Sequence, residues 1–282
     1  MSITNSRRRG LTLIELLVLL AIVAVATVIA LPGIQRARMQ ARNASCKNNL
    51  KTLALAFHNY HDTYKTFPPG WIAKNGAPWT GPCFGWGTSV LPFLEQAVLY
   101  NAIDFHKGPD PKSELFQTAI AEFRCPDDLL AETNPIRDGY GTSNYSGNYG
   151  ETALPGSVEV DPRATGILFW NSKIGIRDIT DGLSNTFLLG ERSITSAGGI
   201  WPGVRNNQNA GDSVTGCHHT ALPNTVLDSF SSKHDGGVNF VMCDGSVRFI
   251  SNQIDSKPPT DNGKGLYQQL GHRADGEAVG NF

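Results

Sequence analysis

The sequence predicts an α+β fold in which a long N-terminal helix packs on a mixed domain containing an antiparallel sheet. Three observations predict it. An apolar run extends from Leu13 to Leu31 with one acid, Glu15, at its front edge. Beyond it, Cys46, Leu50, Leu53, Ala54 and Phe57 recur at three- and four-residue steps, the period of a helix with one apolar face. Near the other end, Val238–Cys243 and Ser246–Ile250 flank Asp244-Gly245, two residues that favour a tight hairpin turn.

The first element is read as membrane-spanning. As a helix, Leu13–Leu31 is about 28 Å long, close to the roughly 30 Å hydrocarbon core of a bilayer. A basic start before an apolar run also describes a secretory signal peptide. Here the run is long, begins with an acid, and continues past Pro32-Gly33 into more helical sequence, which favours an anchor. A carboxylate entering hydrocarbon costs several kcal/mol unless it has a partner or a function, so Glu15 calls for one. Pro32 removes one backbone donor and predicts a kink or a short melted turn within a continuing element.

Arg38, Arg42, Lys47 and Lys51 fall largely outside the apolar stripe, so the second half of the helix is expected to pack on the globular part. The segment order is then residues 1–10, 11–35, 36–66 and 67–282: a leader, a membrane and assembly helix, an amphipathic extension and a globular domain. In that last segment Gly and Pro concentrate from Pro68 to Gly87 and from Gly139 to Gly166, which predicts ordered loops and short strands. Thr88–Ile103 predicts one short helix with Pro92 near its start. In a two-residue turn at Asp244-Gly245, Met242 would face Val247 and Phe240 would face Phe249.

The N-terminus Arg9-Gly10-Leu11-Thr12-Leu13-Ile14-Glu15 resembles the type IV pilins and type II secretion pseudopilins. That resemblance implies cleavage by a prepilin peptidase between Gly10 and Leu11, methylation of the new amine, and Glu15 as the assembly carboxylate that offsets a neighbour's positive terminus. Leu11 departs from the usual Phe or Met. Basic residues flanking the span would by themselves favour the opposite orientation. The leader motif is more specific and places the N-terminus inside, with the domain in the periplasm or on an extracellular filament. Further resemblance, to a large pilin-like family of Planctomycetes and related bacteria described as a domain of unknown function, rests on several motifs. They are Cys46–Lys51, His58–Asp62, Phe67–Gly70, Cys125-Pro126-Asp127-Asp128, Asp181–Thr186, and His234 placed ten residues before Asp244-Gly245. It implies a pilin-like fold and an envelope role.

Removing residues 1–10 takes the net charge from −1 to about −4, and no compact basic patch with interleaved aromatics remains. Nucleic acid is therefore not an expected partner. Other pilin-like subunits and inner-membrane lipid are. No HExxH, paired-cysteine cluster, nucleophile elbow or phosphate loop is present, so no catalytic residue is assigned. His58, His61, His218, His219, His234 and Asp235 have the chemistry for zinc, though capping and packing explain them more simply. Asp178, Asp181 and Asn185 offer hard oxygens for Ca2+, against a plain turn-and-cap reading. Five cysteines permit two disulfides and one thiol, with Cys83 to Cys125 or Cys217 as the expected pairing. The alternative function is a membrane-anchored module binding a glycan, peptide or small solute through Trp71, Trp79, Trp86, Trp170 and Trp201.

Overall fold

The computed structural model describes residues 13–74, 80–128, 131–152, 164–205, 210–227, 229–258, 263–277, 279–280 and 282. Gly10, Leu11 and Trp79 lie outside them. The chain forms two compact units, divided between Arg42 and Asn43.

Helix α1 (Leu13–Tyr64) contributes to both units. Its part in the first unit is long and apolar enough to cross a membrane, and its large side chains from Leu13 to Ile34 are exposed. The Thr27 hydroxyl donates to the Val23 carbonyl at 2.7 Å, which hides the one hydroxyl of this stretch in the helix itself. Helical backbone runs through Pro32, so the expected melted turn does not form. One missing donor is a local loss that the helical hydrogen bonds on either side outweigh.

In the second unit, Cys46, Leu50, Leu53, Ala54 and Phe57 are all buried, as the stripe predicts, and Ala56 joins them. Burying each of the larger ones contributes roughly 1.5–3 kcal/mol. Phe57 packs between Phe67 and Trp86, with ring centroids 6.4 and 5.5 Å away.

The expected helix over Thr88–Ile103 is broken into α2 (Trp86–Val90), a 3-10 turn (Leu91–Leu94) and α3 (Ala97–Asn101). Glu95 ends the turn in the left-handed region at φ 58°, which no continuing helix tolerates. A short α4 (Glu114–Gln117) follows.

Strands β1 (Thr133–Asn134), β2 (Tyr140–Ser143) and β3 (Tyr145–Gly150) come next. After them lie β4 (Phe187–Glu191), β5 (Gly199–Ile200), β6 (Val214–Gly216), β7 (Gly237–Met242), β8 (Val247–Ser251) and the helix α5 (Leu266–Gly271). A three-stranded sheet has the order β1-β2-β5, and a five-stranded sheet the order β6-β3-β4-β7-β8, with only β3 and β6 parallel. Period-2 alternation sends Val238, Phe240 and Met242 into a small core with Phe187, Tyr267 and Leu270. Val241 and Cys243 point to the other face and join the larger core that holds the α1 stripe.

The hairpin exists, but its register differs from the expected one by one residue. Val241 pairs with Val247, Phe240 with Arg248 and Asn239 with Phe249. A two-residue turn of either favoured type needs positive φ at its first position, here Asp244, whereas only Gly245 adopts it, at 83°. Gly245 N–H instead donates to Met242 O at 2.9 Å, closing a turn whose following residue is the left-handed glycine. The slip moves Phe249 off Phe240, and Phe249 is 43% exposed.

Candidate functional site: a buried carboxylate and histidine hub beside a disulfide

Four segments of the second unit meet around His234, which lies just before one of them. Its Nδ1 lies 3.0 Å from Asp127 Oδ2, and its Nε2 lies 3.2 Å from Glu191 Oε1. Asp127 belongs to the Cys125-Pro126-Asp127-Asp128 loop, and Glu191 ends β4. Asn239 of β7 completes the Glu191 shell: its backbone N–H donates to Oε2 at 2.9 Å and its side-chain amide reaches both carboxylate oxygens at 3.1 Å. The same amide donates to Asn43 Oδ1 on α1 at 3.0 Å. Beside these groups, Cys46 of α1 and Cys125 form a disulfide, with Cα atoms 4.9 Å apart.

Local sequence explains the convergence. β4 reads Phe-Leu-Leu-Gly-Glu and is buried throughout, so Glu191 arrives in the core because its strand does. Arg192, next in the chain, is buried as well and donates to the carbonyls of Ser196 at 3.0 Å and Leu227 at 3.2 Å. The loop carrying Asp127 is fixed by Asn144, whose Oδ1 accepts from Cys125 N at 3.0 Å and whose Nδ2 donates to Asp128 Oδ2 at 2.8 Å. Burial pushes the Asp128 carboxyl up from its ordinary range.

Burial also disfavours a charged His234. The hydrogen bond that Glu191 accepts from the ring, its charge and that of Asp127 outweigh this, so the imidazole is raised above its ordinary 6.5. A raised folded value means that protonated His234 contributes stability in full below pH 6.5, and that this contribution fades as pH rises through the folded value. Burial lowers His61, His218 and His272, which contribute in the opposite sense. The expected outcome is therefore a difference: in urea unfolding, the stability gap between the parent and His234→Gln should be widest below pH 6.5 and should narrow steadily toward alkaline pH.

The motif of His234 with Asp244-Gly245 thus performs two structural tasks at opposite ends of β7. Asp244 Oδ1 accepts from Ser246 N at 2.8 Å, and Asp244 N donates to Leu183 O at 3.1 Å, tying the hairpin to the Asp181–Thr186 segment. In that segment Asp178 Oδ2 accepts from Gly175 N at 2.8 Å. The Asp181 carboxylate accepts from Asp275 N at 2.6 Å and Gly276 N at 2.9 Å, and Asn185 Nδ2 donates to Asp181 O at 3.2 Å. All three side chains named for Ca2+ therefore cap backbone. Asp181 also lies with His272 and Asp275, where an internal cation already sits: Lys264 Nζ is 2.9 Å from Glu151 and 3.4 Å from Asp275.

The other histidines are scattered. His61 Nε2 accepts from Ile176 N at 3.3 Å, and the rings of His218 and His219 lie against each other at a tilt, with centroids 4.1 Å apart. The expected disulfide of Cys83 is corrected: Cys46, read only as an apolar stripe residue, is the partner of Cys125, and Cys83, Cys217 and Cys243 are buried thiols. Burial pushes the Cys83 thiol up to about 11. Glu191, Asn239 and Asn43 had no role in the sequence reading. The available signal was the Glu191-Arg192 pair closing an otherwise apolar strand.

Trp71, Trp86 and Trp201 are buried. Trp86 Nε1 donates to Ser213 O at 2.8 Å and Trp201 Nε1 to Thr118 O at 3.0 Å, so these indoles fill the core.

Residues 35–257 match the family described as "Protein of unknown function (DUF1559)", and residues 5–31 match the prokaryotic N-terminal methylation motif. No similar curated protein and no similar solved structure was found. The family match takes in α1 from just before the buried stripe through the hub and the hairpin, and the methylation motif takes in the apolar half of α1. The chain therefore belongs to the DUF1559 family and is a pilin-like protein with a prepilin-type N-terminus.

Proposed function

We propose that this chain is a non-catalytic structural subunit of a type IV pilus-like or type II secretion pseudopilus-like envelope assembly. The observation that carries the reading is the exposed apolar surface of α1 from Leu13 to Leu31, which has Glu15 near its front edge and lies within the stretch that matches the methylation motif. Such a surface is covered either by lipid or by the equivalent helices of other subunits. In this reading a prepilin peptidase cuts between Gly10 and Leu11 while the chain resides in the inner membrane with its globular unit in the periplasm. The methylated amine of Leu11 is positive, and Glu15 of a neighbouring subunit offsets it at the membrane edge, setting the stagger between helices.

Glu15→Ala tests this. Membrane insertion and cleavage should be unchanged, because the apolar run and the leader remain, while recovery of the chain in sheared filament or cross-linked oligomer fractions should fall at least ~10-fold, equivalent to about 1.4 kcal/mol of lost pairing. Equal incorporation of variant and parent would remove the role assigned to Glu15. Detection of an N-terminus after Ala30 or near Pro32 would remove the anchor altogether. The burial of Trp71, Trp86 and Trp201 supports assembly over the binding-module alternative, since those side chains present no stacking platform.

A further inference from the structure

We propose that, when Cys46 and Cys125 are in the dithiol state, the chain binds one thiophilic divalent cation of the zinc class through the two sulfurs, His234 Nε2 and a Glu191 carboxylate oxygen. This point of the fold then holds either a disulfide or a metal ion.

The geometry carries the argument. One ligand atom from each of Cys46, Cys125, Glu191 and His234 lies within 4.8 Å of each of the others, and all four residues are buried. His234 Nε2 is 3.9 Å from Cys125 Sγ and 3.2 Å from Glu191 Oε1. A tetrahedral zinc ion with bonds of about 2.0–2.3 Å sets its ligands roughly 3.3–3.8 Å apart. The nitrogen is therefore already near the required distance from both an oxygen and a sulfur, and the one large change is separation of the two sulfurs on reduction. Four protein ligands with no open position make a closed, structural kind of site.

Supporting groups are in place around the ligands. Asp127 Oδ2, 3.0 Å from His234 Nδ1, is placed to orient the ring with Nε2 toward the sulfurs, and Asn239 holds the Glu191 carboxylate. Such partners fix ligand orientation and strengthen metal binding. A surface cavity of about 580 Å³, bounded by Ser45, Asn49, Arg124 and Cys125 among others, lies beside this group.

The exchange balances with a dithiol as reductant. Two electrons pass from the dithiol to the Cys46–Cys125 bond, which breaks as the reductant closes its own disulfide. The two protons released from the reductant leave to solvent, the cation binds the two thiolates, and the His234 Nε2 proton is lost as that nitrogen becomes a ligand. Both forms cross-link α1, the Cys125 loop and their neighbours, so the same segments stay tied in either redox state.

The test uses the full chain in detergent micelles. After reduction by a phosphine without oxygen, titration with cobalt(II) should give about one ion per chain, with thiolate-to-cobalt charge transfer and the intense visible bands of a tetrahedral ion, both displaced by zinc. The oxidised chain keeps Cys83, Cys217 and Cys243 as thiols and should bind cobalt at least ~10-fold more weakly. Asp127→Asn should weaken binding ~10-fold while preserving the ligand spectrum. Should reduction unfold the globular unit, zinc should restore its native near-ultraviolet circular dichroism. Absence of the tetrahedral thiolate spectrum, equal cobalt uptake by the oxidised chain, or failure of zinc to refold a reduced, unfolded chain each overturns the proposal.

Discussion

Replacing Glu191 with alanine should lower the unfolding free energy by about 3–5 kcal/mol, the range for breaking a buried ion pair by removing one partner. Glu191 accepts from His234 and three times from Asn239, and both of these partners are themselves buried. The substitution leaves Asp127 as the carboxylate facing the His234 ring, and it leaves the Asn239 backbone N–H of β7 without the Glu191 acceptor. Each orphaned buried donor adds about 1–3 kcal/mol within that total. Glu191→Gln keeps an acceptor and the volume and should lose clearly less. Urea unfolding followed by tryptophan fluorescence separates them: equal midpoints for Glu191→Ala and the parent would show that the hub does not support the fold.

The double substitution Cys46→Ser with Cys125→Ser should cost about 4.5 kcal/mol at 25 °C from the chain entropy that it releases. The cross-link spans 79 residues, so its removal frees a long loop in the unfolded chain. In the folded chain the loss should be felt locally, where the Cys125 loop meets α1, a junction also tied by Asn49 Nδ2, which donates to Arg124 O at 2.7 Å and to Ala121 O at 3.3 Å. Amide exchange of residues 123–128 and 43–50 should therefore accelerate more than that of β3, β4 and β7. Metal-free reduction of the parent should reproduce the same pattern. Uniform acceleration across the sheet would indicate global destabilisation without this local hinge.

Both expectations concern how the globular unit stays attached to the helix it shares with the anchor. In the assembly reading, α1 carries packing from subunit to subunit. A domain held to Asn43 and Cys46 by polar and covalent ties, as well as by the apolar stripe, resists being pulled from that helix.

Local patterns in the chain were enough to determine the long apolar helix, the buried stripe of α1 and the existence of the β7–β8 hairpin. Each depends on a periodicity or a turn preference expressed over a few consecutive residues, which is the range over which backbone geometry alone dictates structure. The same reasoning went wrong by one residue at Asp244-Gly245, because two turn types share that dipeptide and only the φ of Asp244 separates them. It also missed the break at Glu95 and the partner of Cys125. For Glu191 the local signal, a charged pair closing an apolar strand, gave no partners, because these lie 48 residues away at Asn239 and 43 residues away at His234. Burial, hydrogen-bond pairing and the proximity of Cys46, Cys125, Glu191 and His234 are properties of chain segments brought together across the sheet, so only the tertiary structure could decide them.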